Sequence, residues 1–171
     1  ETLGLTKKEV VNFYFKLNNF FDFIENTLKI KIVISAHPLS KNDNFNNRQV
    51  FSFDTPNLVK YSNFAIAIGS GSIVYPLLFD KKILFIEANI LEKLPIIKKN
   101  NLGIKNILKV KYININNEIT PEIINTEKIN SNLRKNFIRS FALDINNFSK
   151  RPYDLVINLC SNRIKKNDLF Y

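Results

Sequence analysis

Residues 30–38 read IKIVISAHP and residues 64–72 read FAIAIGSGS; these two stretches decide the fold. In the first, Ile32, Val33 and Ile34 form an unbroken apolar run where a strand with one wet face would alternate. The run predicts a strand over 30–36, buried on both faces of a parallel sheet. It stops at His37-Pro38, because proline has no amide hydrogen to continue a ladder. The second stretch predicts a buried strand over 64–68, then a tight turn through Gly69-Ser70-Gly71-Ser72. An apolar helix over 73–79 follows, with Pro76 in its first turns.

Working outward, Thr6-Lys7-Lys8-Glu9 has the capping-box pattern, and Val10, Phe13, Leu17, Phe20, Phe21, Ile24 and Leu28 recur at helical spacing. That predicts an amphipathic helix of about five to six turns. Residues 39–48 are a polar loop rich in Asn and Lys, 50–53 a short strand, and Asp54-Thr55-Pro56 the opening of a short helix over 57–62. A further strand is expected over 83–86. Strands alternating with helices at this spacing predict an α/β fold, a doubly wound and mostly parallel sheet. Beyond residue 90 the pattern predicts a helix over 91–99, a strand over 108–114 and a turn-rich connection around Pro121. Two C-terminal helices follow. The first spans 131–148 with Leu133, Phe137, Phe141, Ile145 and Phe148 on one face, and the second spans 153–165. No repeat or linker divides residues 1–171, so one domain is expected.

Composition narrows the class. Forty-five per cent hydrophobic residues, fifteen Phe among them, supply a core for a chain of 171 residues. No apolar run approaches the roughly 18–20 residues of a membrane span, and no secretory signal is visible, so a cytoplasmic protein is expected. The single cysteine, Cys160, lies among Leu155, Val156, Ile157 and Leu159 and reads as a small buried hydrophobe. The net charge of +10 is carried by dispersed residues and doublets such as Lys81-Lys82 and Lys98-Lys99, without the roughly five-to-eight-residue runs of a nucleic-acid tail. No nucleic-acid partner is expected, whereas peripheral contact with an anionic membrane on the inner face of the plasma membrane is compatible with the charge. The chain starts at Glu1 and contains no Met, which leads us to expect a piece of a longer protein.

Ligands of open α/β sheets bind outside the carboxyl ends of the strands, and both motifs fall there. His37, the sole histidine, directly follows a buried strand, where an imidazole can donate to phosphate or lend it positive charge. Gly69-Ser70-Gly71-Ser72 offers backbone amides, two hydroxyls and the positive end of a helix, an anion site in outline. Either motif also has a plain structural reading, as a strand-end histidine and as a tight connection with Ser72 capping a helix. The chain lacks the Lys of a P-loop and the spaced glycines of a dinucleotide fingerprint. Glu87 could accept from ribose hydroxyls, and Asp54 and Thr55 could read a base or cap the next helix. Asp22 and Glu25 read as solvated charges. One His and one distant Cys give no metal-ligand cluster, and no cofactor is expected.

Taken together, the strand ending in His37-Pro38, the segment Lys60-Tyr61-Ser62-Asn63, the strand 64–68, the Ser70-Gly71-Ser72 turn and the strand 83–86 behind Lys81-Lys82 resemble one family. It is the C-terminal nucleotide-binding half of GT-B glycosyltransferases that build bacterial surface polysaccharides and lipooligosaccharides. The likeness is nearest to the sialyltransferases, polysialyltransferases and Kdo transferases that use CMP-sugars, and it extends to CDP-glycerol polymerases. It covers roughly residues 28 to 90. The resemblance implies that His37 and Pro38 contact the nucleotide phosphate or ribose and that Ser70 and Ser72 bind the phosphate, with His37 the catalytic candidate. Gly71 separates the two serines, where many relatives have them adjacent. The partners implied are a sugar-nucleotide donor, a glycan or glycolipid acceptor and a missing N-terminal GT-B half. The opening helix resembles the first helix of such a C-terminal half without its leading strand, so upstream residues are expected to complete the sheet. The expected activity is metal-independent glycosyl transfer, absent from this piece alone. Two other readings compete: a non-hydrolysing epimerase, which needs an acidic residue where Ile73, Val74 and Tyr75 stand, and a non-catalytic basic binding module.

Overall fold

In the computed structural model, residues 4–36, 45–69, 71–124 and 128–141 are described. Thr6 and Glu9 form the expected reciprocal capping box at the start of α1, Lys7–Leu28, satisfying two amide donors that a helix start leaves open. The helix ends where Lys29 turns left-handed at φ 55°. Its inner face buries Leu17, Phe20, Phe21 and Ile24, each worth roughly 1.5–3 kcal/mol of transfer free energy. Strand β1, Ile34–Ala36, pairs in parallel with β2, Val50–Ser52. Then come α2 (Thr55–Tyr61), β3 (Phe64–Ala67), α3 (Val74–Leu78), β4 (Lys82–Glu87), α4 (Pro95–Leu108), β5 (Tyr112–Asn114) and α5 (Ser131–Phe141).

The strands form two parallel sheets, β1-β2 and β3-β4-β5. Strand β4 is the buried centre of the larger one, with Ile83 to Ile86 all inside. Because side chains alternate across a strand, it feeds two cores. Leu84 and Ile86 join α1, Ala88, Ile115 and Ile124 on one face. Ile83 and Phe85 join Ile73 and Leu77 of the turn and α3, Ile104 and Leu108 of α4, and Phe137 of α5 on the other. Helices therefore cover both faces of an all-parallel sheet, as the α/β reading requires.

Several boundaries differ from the sequence reading. The strand expected over 30–36 is paired only from Ile34, and 30–33 run alongside without a ladder. The helix expected over 91–99 is a 3-10 turn, Leu91–Lys93, followed by α4, which opens on Pro95 and continues to Leu108. Proline is preorganised for the first helical position, where its missing donor costs nothing. Leu108 thus ends a helix instead of starting a strand, and Lys109 at φ 55° makes the turn into β5. The C-terminal helix is described as far as Phe141; its expected continuation to 148, the helix over 153–165 and Cys160 lie outside the described residues. Among the described residues no helix is long and apolar enough to cross a membrane.

Asp22 and Glu25, read above as solvated charges, are in fact the anchor of the chain leading into β2. The Arg48 guanidinium, 6% exposed, donates to Asp22, to Glu25 Oε2 at 2.6 Å and to Asn18 Oδ1 at 3.2 Å, and lies over the Phe21 ring. Burial opposes the Arg48 charge, but the hydrogen bonds it donates to Glu25 and Asp22 and the charges of the two carboxylates outweigh that and raise its pKa. Glu25 Oε1 also accepts the Ile32 amide at 2.8 Å, so one carboxylate steers both chains of the small sheet. At the far end of the larger sheet, Asp80 pairs with Lys128 and Arg134, tying the end of α3 to α5.

Candidate functional site

Within each sheet the strands run parallel, and α1 carries the chain from the carboxyl end of β4, where Glu9 meets Lys93, to the amino ends of β3 and β4 beside Leu28, from which it leads into β1. A crevice of about 870 Å³ lies between β1 and β3, and its upper rim carries Ala36, Asp54, Thr55 and Ser72. Ala36 is the last residue of β1 and leads directly into His37-Pro38. His37, Pro38 and Ser70 themselves lie outside the described residues.

Opposite, β3 ends at Ala67 and the chain turns through Gly69 at φ +53°. Two facts make glycine necessary there. The left-handed backbone disfavours any side chain, and a Cβ would lie 2.7 Å from Asn101 Oδ1 and 2.8 Å from Ile97 Cγ2, both on α4. The turn is thus pressed against α4. Gly71, by contrast, has open space around it and starts a 3-10 turn, Gly71–Ile73, that runs into α3. Ile73 plugs into the core below, which leaves Ser72 on the rim.

On the β1 side, Thr55 opens α2, and its hydroxyl shares a 2.5 Å hydrogen bond with the Ser35 hydroxyl of β1. Asp54 occupies the N-cap position, yet its carboxylate caps no backbone amide; Oδ1 accepts from Asn57 Nδ2 at 2.7 Å. The capping alternative for Asp54 is therefore not realised through its side chain, and Asp54 lines the crevice. Glu87 is not part of this group. It closes β4 beside α4, where it pairs with Lys105 at 2.6 Å, while the Lys105 ammonium lies 4.6 Å from the centre of the Tyr112 ring. Burial and the neighbouring Glu87 charge push the Tyr112 hydroxyl pKa up. A ribose-binding role for Glu87 would have to break that ion pair.

The structure thus brings Asp54, Thr55 and Ser72 to one rim, sets Gly69 and Gly71 in the turn that shapes it, and assigns Glu87 to a separate contact. Two residues of the site escaped the sequence reading. Asn101 is 9% exposed, and its Oδ1 has no hydrogen-bond partner among the described residues; the available signal was a polar residue at the helical spacing of Ile97, Ile104 and Leu108. Ser35 was visible as the one hydroxyl in an otherwise apolar strand. Among the described residues no three His, Cys, Asp or Glu side chains gather in a metal-binding group. No family model, curated protein or solved structure matches the chain.

Proposed function

We propose that the chain is the donor-nucleotide half of a GT-B glycosyltransferase acting in bacterial surface-polysaccharide synthesis, with a CMP-sugar as donor. The observation that carries this reading is the meeting of two parallel strand ends at one crevice. One leads into His37-Pro38, the other into a glycine-serine turn, and Asp54 and Thr55 line the same crevice. Crevices at the carboxyl edge of such sheets are where nucleotides bind. The sheet in this reading is the doubly wound half of the GT-B fold.

The chemistry is in-line displacement at the anomeric carbon, with negative charge growing on the departing nucleotide phosphate. The groups offered to that charge are the His37 imidazole, the Ser70 and Ser72 hydroxyls and the amides of the turn, fixed donors of the kind that stabilise developing anions most. Asp54 suits an amino group or ribose hydroxyl better than a phosphate, which fits a base or sugar lying toward α2. The acceptor, a glycan or glycolipid, and the base that activates it belong to the second half. The helix start Ile73-Val74-Tyr75 holds no acid, which weighs against an epimerase.

Calorimetric titration with CMP, CDP, UDP and GDP tests the reading. Saturable binding with cytidine preference is expected. Ser72→Ala and His37→Ala should each weaken it roughly tenfold or more, the worth of a hydrogen bond to a charged group, about 1.5–3 kcal/mol. Failure of all four nucleotides to bind the complete protein, including its second half, would sink it.

A further inference from the structure

The crevice has a lower part that the nucleotide reading does not use. Its walls are the two facing edges of β1 and β3, from Ile30 and Phe64 at the bottom to Ala36 and Ile68 at the top. The two strands run parallel to their own partners and do not pair with each other. We propose that this gap receives one further β-strand, parallel to both and supplied by the polypeptide that leads into α1. It would join the two sheets into a single six-stranded sheet.

Four observations point to a strand. The first is hydrogen bonding. In a parallel ladder, successive residues direct their backbone groups to alternate sides. Ile34 donates to Gln49 C=O at 2.8 Å, so Ser35 and Val33 direct theirs away from β2, into the gap. Glu87 C=O accepts from Ile115 N–H at 3.0 Å, so 83, 85 and 87 serve β5, while 82, 84 and 86 serve β3. With the register Ile66 to Leu84, Ala65 and Ala67 then bond to β4, and Phe64 and Ile66 face the gap. Both edges offer donors and acceptors at strand spacing, a template that only another strand completes.

The second is apolar cover above and below. Leu17 and Phe21 of α1 close one side of the gap, and Leu58 of α2 and Ile73 close the other, so the occupant has water on neither face and must be apolar on both. Residues 32–34 and 64–67 already have the composition of interior strands, yet Val33 is 41% exposed and no residue of β3 is fully buried.

The third is the run of α1. Its amino end stands at the carboxyl edge of the sheet, where Glu9 pairs with Lys93 just past β4. Its carboxyl end, Leu28, stands at the amino edge beside Asn63, Phe64 and Lys82. A helix running antiparallel to the strands and delivering the chain to β1 is the crossover of a βαβ unit.

The fourth is handedness. The crossovers β3-α3-β4 and β4-α4-β5 step away from β1 with their helices on the face opposite α1. Parallel crossovers share one hand in nearly every case. With the helix on the other face, the same hand requires the step into β1 to run the other way, from the β3 side. The strand before α1 therefore falls in the gap and nowhere else.

Amide exchange followed by NMR tests this directly. In the 171-residue chain, Ser35 and Ile66 amides should exchange freely while Ala65 and Ala67 are protected. A chain extended before Glu1 by the strand Val-Ile-Val-Ile-Val should protect Ser35 and Ile66 by roughly tenfold or more, and replacing its central residue with Pro should abolish the gain. Should the fusion aggregate, the same five residues flanked by Lys and added as a free peptide give the same readout. The proposal is overturned if Ser35 and Ile66 are already protected in the unextended chain at low concentration, since the two sheets would then close on each other. Protection that grows with protein concentration alongside dimer sedimentation would also overturn it, as would a folded extended chain with unchanged exchange.

Discussion

Two glycines of one motif should respond oppositely to the same substitution. At Gly69, alanine meets a backbone at φ +53°, a left-handed conformation that costs an L-residue about 1–2 kcal/mol. Its Cβ would also stand 2.7 Å from Asn101 Oδ1 and 2.8 Å from Ile97 Cγ2. Asn101 is buried on α4 and cannot swing into water, so the turn or the helix must shift, an overpacking cost of about 1–3 kcal/mol. Gly69→Ala should therefore destabilise the fold by about 2–5 kcal/mol. With an m-value of about 2 kcal/mol/M, the urea midpoint would fall by roughly 1–2.5 M. Gly71→Ala, with no atom within 4 Å of its new Cβ, should stay within about 0.5 kcal/mol of the parent. Asn101→Ala in the Gly69→Ala background should return part of the packing cost but none of the backbone cost, a coupling of about 1 kcal/mol in a double-mutant cycle. Equal midpoints for the two glycine variants, or no coupling to Asn101, would refute a left-handed turn pressed on α4.

Arg48→Met removes the cation shared by Asp22, Glu25 and Asn18; since Asp22 is half exposed, the expected loss is about 1–3 kcal/mol by urea titration, and Arg48→Lys should recover less than half of it. Glu9 is held down to about 2 from 4.5, first by its hydrogen bond from Lys93 and then by those from Thr6. A depressed carboxylate stabilises the fold above its unfolded pKa and loses that contribution as the pH falls toward the folded one, so the stability gap between the parent and Glu9→Gln should be constant at neutral pH and close between pH 4.5 and 2. The Tyr112 hydroxyl is buried without a hydrogen-bond partner among the described residues, so Tyr112→Phe should leave the thermal midpoint unchanged or raise it; a fall equivalent to more than about 1 kcal/mol would mean that the hydroxyl is satisfied.

Elements whose identity rests on local chemistry were legible in the sequence. The Thr6 to Glu9 capping box, the face of α1, Pro56 opening α2 and the apolar core of β4 need only nearby residues to be recognised. Contacts between distant residues were not. Nothing in the order of residues tells that Arg48 reaches back to Asp22 and Glu25, or that Lys105 rather than a ligand takes Glu87. The helix expected over 91–99 stops short of Asn100, Asn101 and Gly103, residues of low helix propensity, whereas burial of Ile104 and Leu108 carries α4 past them. At the rim, the grouping of Thr55 and Ser72 followed from strand polarity, which fixes where every βα loop falls. The Ser35 to Thr55 bond depended on a register between β1 and α2 that composition does not encode.

The short ladder of β1 has the same origin as the open gap. Ile32-Val33-Ile34 has the composition of a strand sheltered on both sides, yet the ladder begins only at Ile34, because an interior strand needs two neighbours and β1 has one. Composition reports the environment a segment is suited to; pairing reports the one it has. Where the two disagree, the missing partner is the physical account, and here it carries a consequence for the rim. The side leading into His37-Pro38 belongs to the small sheet and Ser72 follows a strand of the large one, so among the described residues no backbone ladder fixes the span between them. A phosphate held from both sides must then order the two sheets as it binds, and that ordering subtracts from its affinity in proportion to how rarely the joined arrangement is populated. A strand in the gap would supply the ordering beforehand, so the extended chain should bind CMP more tightly than its Pro-interrupted control. Equal affinities would mean that the rim is already set by α1 and the contacts of Arg48.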